Sequence, residues 1–141
     1  MNKFKKNQNN LRKRGFTLIE LLVVSTIIVI LSAIGLVSFA NAGQSARDSK
    51  RKADLETVRQ ALVLYRSDSS NGTYPIGTGG TTGYTAVISA LTGSPSYLST
   101  PTPLDPKNDS TYFYTYLSNG STFSLSAKLE KTGSTYTLTN P

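Results

Sequence analysis

The hydrophobic pattern of the chain passes through three regimes. The first is an almost unbroken apolar run from Leu21 to Ala40. Twenty residues of helix measure about 30 Å at about 1.5 Å per residue, which matches the hydrocarbon core of a bilayer. Thr17, Ser25, Thr26, Ser32 and Ser38 interrupt it or flank it, and Ser38, Ala42 and Ala46 recur at four-residue spacing. Such small residues let membrane helices approach closely, or their hydroxyls bond back to their own helix. The pattern leaves both readings open.

In the second regime the period becomes helical and one-sided. Ala46 to Ser69 holds no proline or glycine, and Leu55, Val58, Leu62 and Tyr65 repeat at 3-4-3 spacing with Ala61 on their flank. This predicts an amphipathic helix that continues the apolar one, with Arg47, Lys50, Arg51, Asp54, Arg59 and Arg66 on its other faces. The cationic group Arg47, Lys50, Arg51 and Lys52 reads as a solvated face. Asn71-Gly72 supplies a left-handed stop, and Pro75 follows. Residues 71–110, rich in glycine and proline, read as an irregular connector over the domain edge, with Gly77, Gly79, Gly80 and Gly83 in a flexible loop. A short helix at Tyr84–Leu91, capped by Thr85, fits inside it.

The third regime alternates with period two. Asn119-Gly120 is a strong hairpin signal, and a two-residue turn there pairs Tyr116 with Phe123 and Tyr114 with Leu125. A second turn at Thr132-Gly133 pairs Leu129 with Tyr136 and Ala127 with Leu138. The apolar side chains then share one face across three antiparallel strands, and the helix stripe is the natural cover for that face. The predicted class is α+β: one long N-terminal helix, its first half transmembrane, packed on a C-terminal three-stranded antiparallel meander.

Charge sharpens the picture at one end only. The chain of 141 residues has 15 Lys and Arg against 8 Asp and Glu, a net +7. Lys3, Lys5, Lys6, Arg12, Lys13 and Arg14 account for six of those cations, and without them nine cations face eight acids. The basic excess belongs to a leader, not to a nucleic-acid-binding surface. Cations ahead of the apolar run favour an N-terminus in the cytoplasm. The chain has no histidine and no cysteine, so imidazole catalysis, thiolate metal sites and disulfides are all excluded. No phosphate-cradling glycine pattern occurs. The chain reads as a protein that is not an enzyme and that needs no cofactor. Asp105, Asn108 and Asp109 are weak candidates for calcium, although turn formation accounts for the cluster without a metal.

One stretch carries specific chemistry. In Arg12-Lys13-Arg14-Gly15-Phe16-Thr17-Leu18-Ile19-Glu20 a basic run meets a glycine, and a carboxylate sits just inside the apolar segment. A charge there costs roughly 2.5–3.5 kcal/mol at the membrane centre and less near an interface. This stretch resembles the N-terminal signature of type IV prepilins and type II secretion pseudopilins. The resemblance implies that a prepilin peptidase cuts between Gly15 and Phe16 and methylates Phe16. It further implies that Glu20 serves assembly, by pairing with the Phe16 amino group of a neighbour. Residues from Arg47 through Tyr74-Pro75 resemble the helix and exit of major, G-type pseudopilins. Family members often carry a proline where this chain has Val37, with Gly35 the only weak point nearby.

The organisation expected from these readings has four parts: a cleaved leader over 1–15, a transmembrane and filament-core helix over 16–43, its amphipathic continuation over 44–70, and a head over 71–141. The head divides into a connector (71–110) and a sheet (111–139). The implied partners are copies of the chain in a helical filament, the prepilin peptidase, an assembly platform protein with its ATPase, and the membrane; no nucleic acid is expected. The implied location is a single-pass cell membrane protein with its head outside, extracted into a filament. The implied function is a subunit of the type II secretion pseudopilus. The alternatives are a type IV pilin for adhesion, motility or DNA uptake, and an exported soluble binding module cleaved near Ala42.

Overall fold

A computed structural model describes residues 15–140. Apart from Gly15, the basic leader lies outside the described residues. The elements in chain order are helix α1 (Leu18–Asp68), strand β1 (Gly77–Thr78), helix α2 (Gly80–Thr92) and strands β2 (Tyr114–Ser118), β3 (Phe123–Lys128) and β4 (Thr135–Thr139). The class is α+β, with an apolar N-terminal helix and an antiparallel sheet. The chain divides into two compact units, Met1–Ser38 and Phe39–Pro141.

In the first unit α1 passes Gly35 without interruption and is long and apolar enough to cross a membrane. Its large side chains are exposed rather than packed, among them Leu21, Ile28, Ile30 and Ile34. Ser25 and Thr26 donate to the carbonyls of Leu22 (2.9 Å) and Val23 (2.8 Å), so these two hydroxyls satisfy themselves on their own helix.

In the second unit the expected stripe is the core face of α1. Leu55, Val58, Ala61 and Leu62 pack with Tyr114, Tyr116, Phe123, Leu125 and Ala127 of the sheet. The helix ends at Asp68, and Gly72 lies in the left-handed region at φ 62°. Three of the four buried tyrosine hydroxyls donate to an acceptor: Tyr84 to the Pro103 carbonyl (2.8 Å), Tyr114 to Asp54 (2.8 Å) and Tyr116 to the Pro75 carbonyl (2.7 Å), while that of Tyr74 accepts from Arg66 (3.3 Å). Burial pushes the Tyr116 hydroxyl up to about 12, so these rings stay neutral donors.

Three features differ from the sequence reading. The sheet has four strands in the order β1-β2-β3-β4, because Gly77 and Thr78 pair with Ser118 and Leu117. The connector holds a 13-residue helix that begins after Gly79, and Thr85 is an interior residue bonded to the Thr81 carbonyl rather than a cap. The glycines expected in a flexible loop are required there, two by backbone conformation and two by packing. Gly79 and Gly80 have φ 86° and 63°, and a Cβ on Gly77 or Gly83 would collide with Tyr116.

Both hairpin registers also move by two residues. Tyr114 faces Ala127 and Tyr116 faces Leu125, leaving a four-residue loop from Asn119 to Thr122. The Asn119 side chain accepts the N–H groups of Ser121 (3.0 Å) and Thr122 (2.9 Å), which builds the wider turn. Ala127 faces Tyr136 and Leu125 faces Leu138. A slip of two preserves the parity of every side chain, so the core face is the one expected.

Candidate functional site

The N-terminal site is built on the first turn of α1. Gly15 is exposed, lies outside the helix and has no neighbour within contact distance of a Cβ. Phe16 is 79% exposed. Thr17 caps α1: its hydroxyl accepts the Glu20 N–H at 3.3 Å and donates to the Glu20 carboxylate at 2.8 Å, while its own N–H reaches the same carboxylate at 2.9 Å. This reciprocal arrangement is a capping box. It could have been read from Thr17-Leu18-Ile19-Glu20, since Ser or Thr followed three residues later by Glu is its signature.

The arrangement presents an exposed Gly15–Phe16 peptide bond directly before a helix. Four residues beyond Phe16 it holds a carboxylate against the helix start. The apolar side chains that follow cover far more contiguous surface than soluble monomers leave in water. Such a surface requires lipid or protein around it.

The second unit contains a charge cluster that the sequence reading placed on a solvated face. Arg51 is fully buried. Its Nε and Nη2 form a fork onto Asp105 (2.7 and 2.9 Å), and its Nη1 reaches Asp48 and Glu130, both at 2.8 Å. Glu130, with its side chain 3% exposed, also receives two bonds from Arg47 (2.7 Å each) and one from Lys107 (3.0 Å). Asp48 accepts the N–H groups of Glu130 (2.8 Å) and Lys131 (3.0 Å). The Arg51 guanidinium carbon and Lys107 Nζ lie 4.9 and 4.5 Å from the centre of the Tyr112 ring. Among the described residues no buried side-chain polar atom lacks a partner.

Three cations and three carboxylates compensate one another here. Bonds from Arg47, Lys107 and Arg51 hold the Glu130 carboxyl well below its usual range, against the opposing push of burial. For Asp105, burial pushes up, but Arg51 and the N–H groups of Lys107 and Asn108 outweigh it and the net direction is down. Arg51 itself is raised, mostly by Asp105. The cluster ties α1 to two remote loops and is structural chemistry. Its signal in the sequence was spacing: Asp48 and Arg51 continue the Leu55–Val58–Leu62 stripe backwards into the core.

The calcium candidates fall on this cluster. Both Asp105 oxygens are engaged by Arg51, and Oδ1 also accepts the Lys107 N–H at 2.9 Å. Asp109 accepts the N–H groups of Thr111 and Tyr112, both at 2.8 Å, and Asn108 takes a left-handed turn conformation at φ 46°. The three residues build a turn and anchor a guanidinium.

Comparison with known proteins bears on the N-terminal site. Residues 10–36 match the family described as the prokaryotic N-terminal methylation motif. The chain is 48% identical over 56 residues to the prepilin peptidase-dependent protein D of Escherichia coli, a match covering 40% of this chain and 34% of that protein. It is 37% identical over 57 residues to the pilin-like protein PilA3 of Thermus thermophilus, covering 40% of this chain and 24% of that protein. The matches thus span about a quarter to a third of those relatives. No solved structure matches the chain significantly.

Proposed function

We propose that the chain, which carries a prepilin-type N-terminus, is a structural subunit of a type IV pilus-like filament and most specifically a pseudopilin of a type II secretion pseudopilus. One observation carries the reading: an exposed Gly15–Phe16 junction opens an unpacked apolar helix inside the matched methylation motif. The secretion assignment rests on the resemblance of the stretch from Arg47 to Pro75 to G-type pseudopilins.

In this reading the prepilin peptidase removes residues 1–15 and methylates Phe16. The apolar helix holds the subunit in the membrane, with its N-terminus cytoplasmic and its head outside, until the platform protein and ATPase extract it. In the filament, lipid around the helix is replaced by the helices of other copies. Glu20 then exchanges its Thr17 bonds for the Phe16 amino group of a neighbour, so that two poorly solvated charges neutralise each other and set the axial register.

The experiment separates membrane pool from filament. Glu20→Val makes the segment more apolar, so insertion and cleavage should persist while sheared filament is lost. Glu20→Asp, a shorter arm with the same charge, should fall between. Normal filament yield from Glu20→Val would remove the carboxylate from the account.

A further inference from the structure

Strand β4 forms one edge of the sheet, and among the described residues nothing bonds to its outer side. Natural edges are blunted by charge, proline, bulges or brevity. The opposite edge, β1, is two residues long and runs straight into Gly79 and α2. Strand β4 has none of these protections. From Ser134 to Asn140 it carries no charge and no proline, and five residues pair in unbroken register with β3.

The sequence of β4 also reads nearly the same way in both directions. Thr135-Tyr136-Thr137-Leu138-Thr139 is centred on Thr137. Laid antiparallel against a second copy, it sets Thr137 opposite Thr137, Thr135 opposite Thr139, and Tyr136 opposite Leu138. Thr–Thr and aromatic–aliphatic pairs are favourable cross-strand neighbours, and no like charges meet. Alternation keeps the three exposed threonines on the outer face and the half-buried Tyr136 and Leu138 on the core face.

A second surface lies beside this edge. Lys52 Nζ sits 5.3 Å from the centre of the Tyr136 ring. Lys52, Glu56, Arg59 and Val63 repeat at 4-3-4 spacing, so they form one stripe of α1 along that side. Val63 is 39% exposed there. A second sheet joined at β4 brings its own stripe alongside.

We propose that β4 is an interface for a second copy of this chain, paired strand to strand about a twofold axis through Thr137. Two four-stranded sheets become one of eight strands. The local twofold of an antiparallel pair stands perpendicular to the sheet, so the two copies of the α1 segment that covers each sheet run in opposite directions. Successive subunits of one filament repeat by rotation and translation and cannot meet this way. The contact therefore joins heads that point oppositely, as between two filaments, and it holds whether or not the filament reading does.

The chain has no cysteine, so single-cysteine variants of the full-length protein in detergent give a clean test. Under mild oxidation Thr137→Cys should form a disulfide-linked dimer, because directly opposed Cα atoms lie about 4.5–5.5 Å apart. Thr135→Cys alone should link more slowly by about tenfold or more, since its twin would lie about 14 Å away. A mixture of Thr135→Cys with Thr139→Cys should link between the two variants. Adding Thr137→Lys to both members of that mixture should abolish the link by opposing two cations. Monomeric Thr137→Cys would overturn the proposal, as would equal linking at Thr135→Cys or an unaffected Thr137→Lys mixture.

Discussion

Replacing Arg51 by methionine removes the central cation of the buried cluster while keeping a side chain of similar length. Asp105, with no exposed side-chain surface, then loses both members of its guanidinium fork, and Glu130 and Asp48 each lose one bond. Arg47 and Lys107 still neutralise Glu130, but among the described residues no remaining cation reaches Asp105 within ion-pair distance. Breaking a buried ion pair by removing one partner costs about 3–5 kcal/mol, a large share of the roughly 5–15 kcal/mol that holds a domain folded. Arg51→Lys retains the charge without the planar fork and should cost less. Urea unfolding of the detergent-solubilised chain, followed by circular dichroism and tryptophan-free near-ultraviolet tyrosine signals, gives the two values. A solvated helix cation would cost within about 0.5 kcal/mol. A loss that small for Arg51→Met would refute the cluster as a source of stability.

Two further predictions concern the same unit. The Glu130, Asp105 and Asp48 carboxyls all titrate below their usual values of 4.5, 3.8 and 3.8. Their contribution is therefore complete above those values and is lost as pH falls through the lower, folded-state values; melting temperature should drop below about pH 4.5, and less steeply in Arg51→Met. Tyr114→Ala should cost about 3–5 kcal/mol, because the ring is buried and its hydroxyl bonds Asp54. Thr115→Ala, on the opposite face, should cost about 1 kcal/mol or less as the loss of one hydroxyl pair with Ser126; equal losses in urea unfolding would place the core on the wrong face.

What could be read from the sequence follows from what side-chain periodicity encodes. The Leu55–Leu62 stripe and the period-two strands identified the core face, because alternation and the helical repeat are local properties. Loop length was not legible in the same way. Asn119 widens its turn through its own side chain. The β3–β4 loop opens where Asp48, 82 residues away in sequence, caps its Glu130 N–H. The start of α2 is marked by Gly79 and Gly80, which take left-handed conformations, and by Gly77 and Gly83, whose necessity comes from Tyr116, a residue of another element. Arg51 was misplaced for a related reason. Its charge argued for solvent, whereas its position in the 3-4 stripe argued for the core, and its compensating carboxylate at Asp105 is 54 residues distant. At the N-terminus the motif and the apolar length were both read, whereas the Thr17–Glu20 box, equally present in the sequence, was missed.

The central claim is that the chain is processed between Gly15 and Phe16 and then built into a filament. The most direct measurement is the mass of the N-terminal peptide of this subunit in filaments sheared from the native cell. The account predicts a peptide that begins at Phe16 and carries one methyl group. A filament subunit that retains Arg14-Gly15, or a protein found only in soluble form and beginning near Gly43, would contradict it.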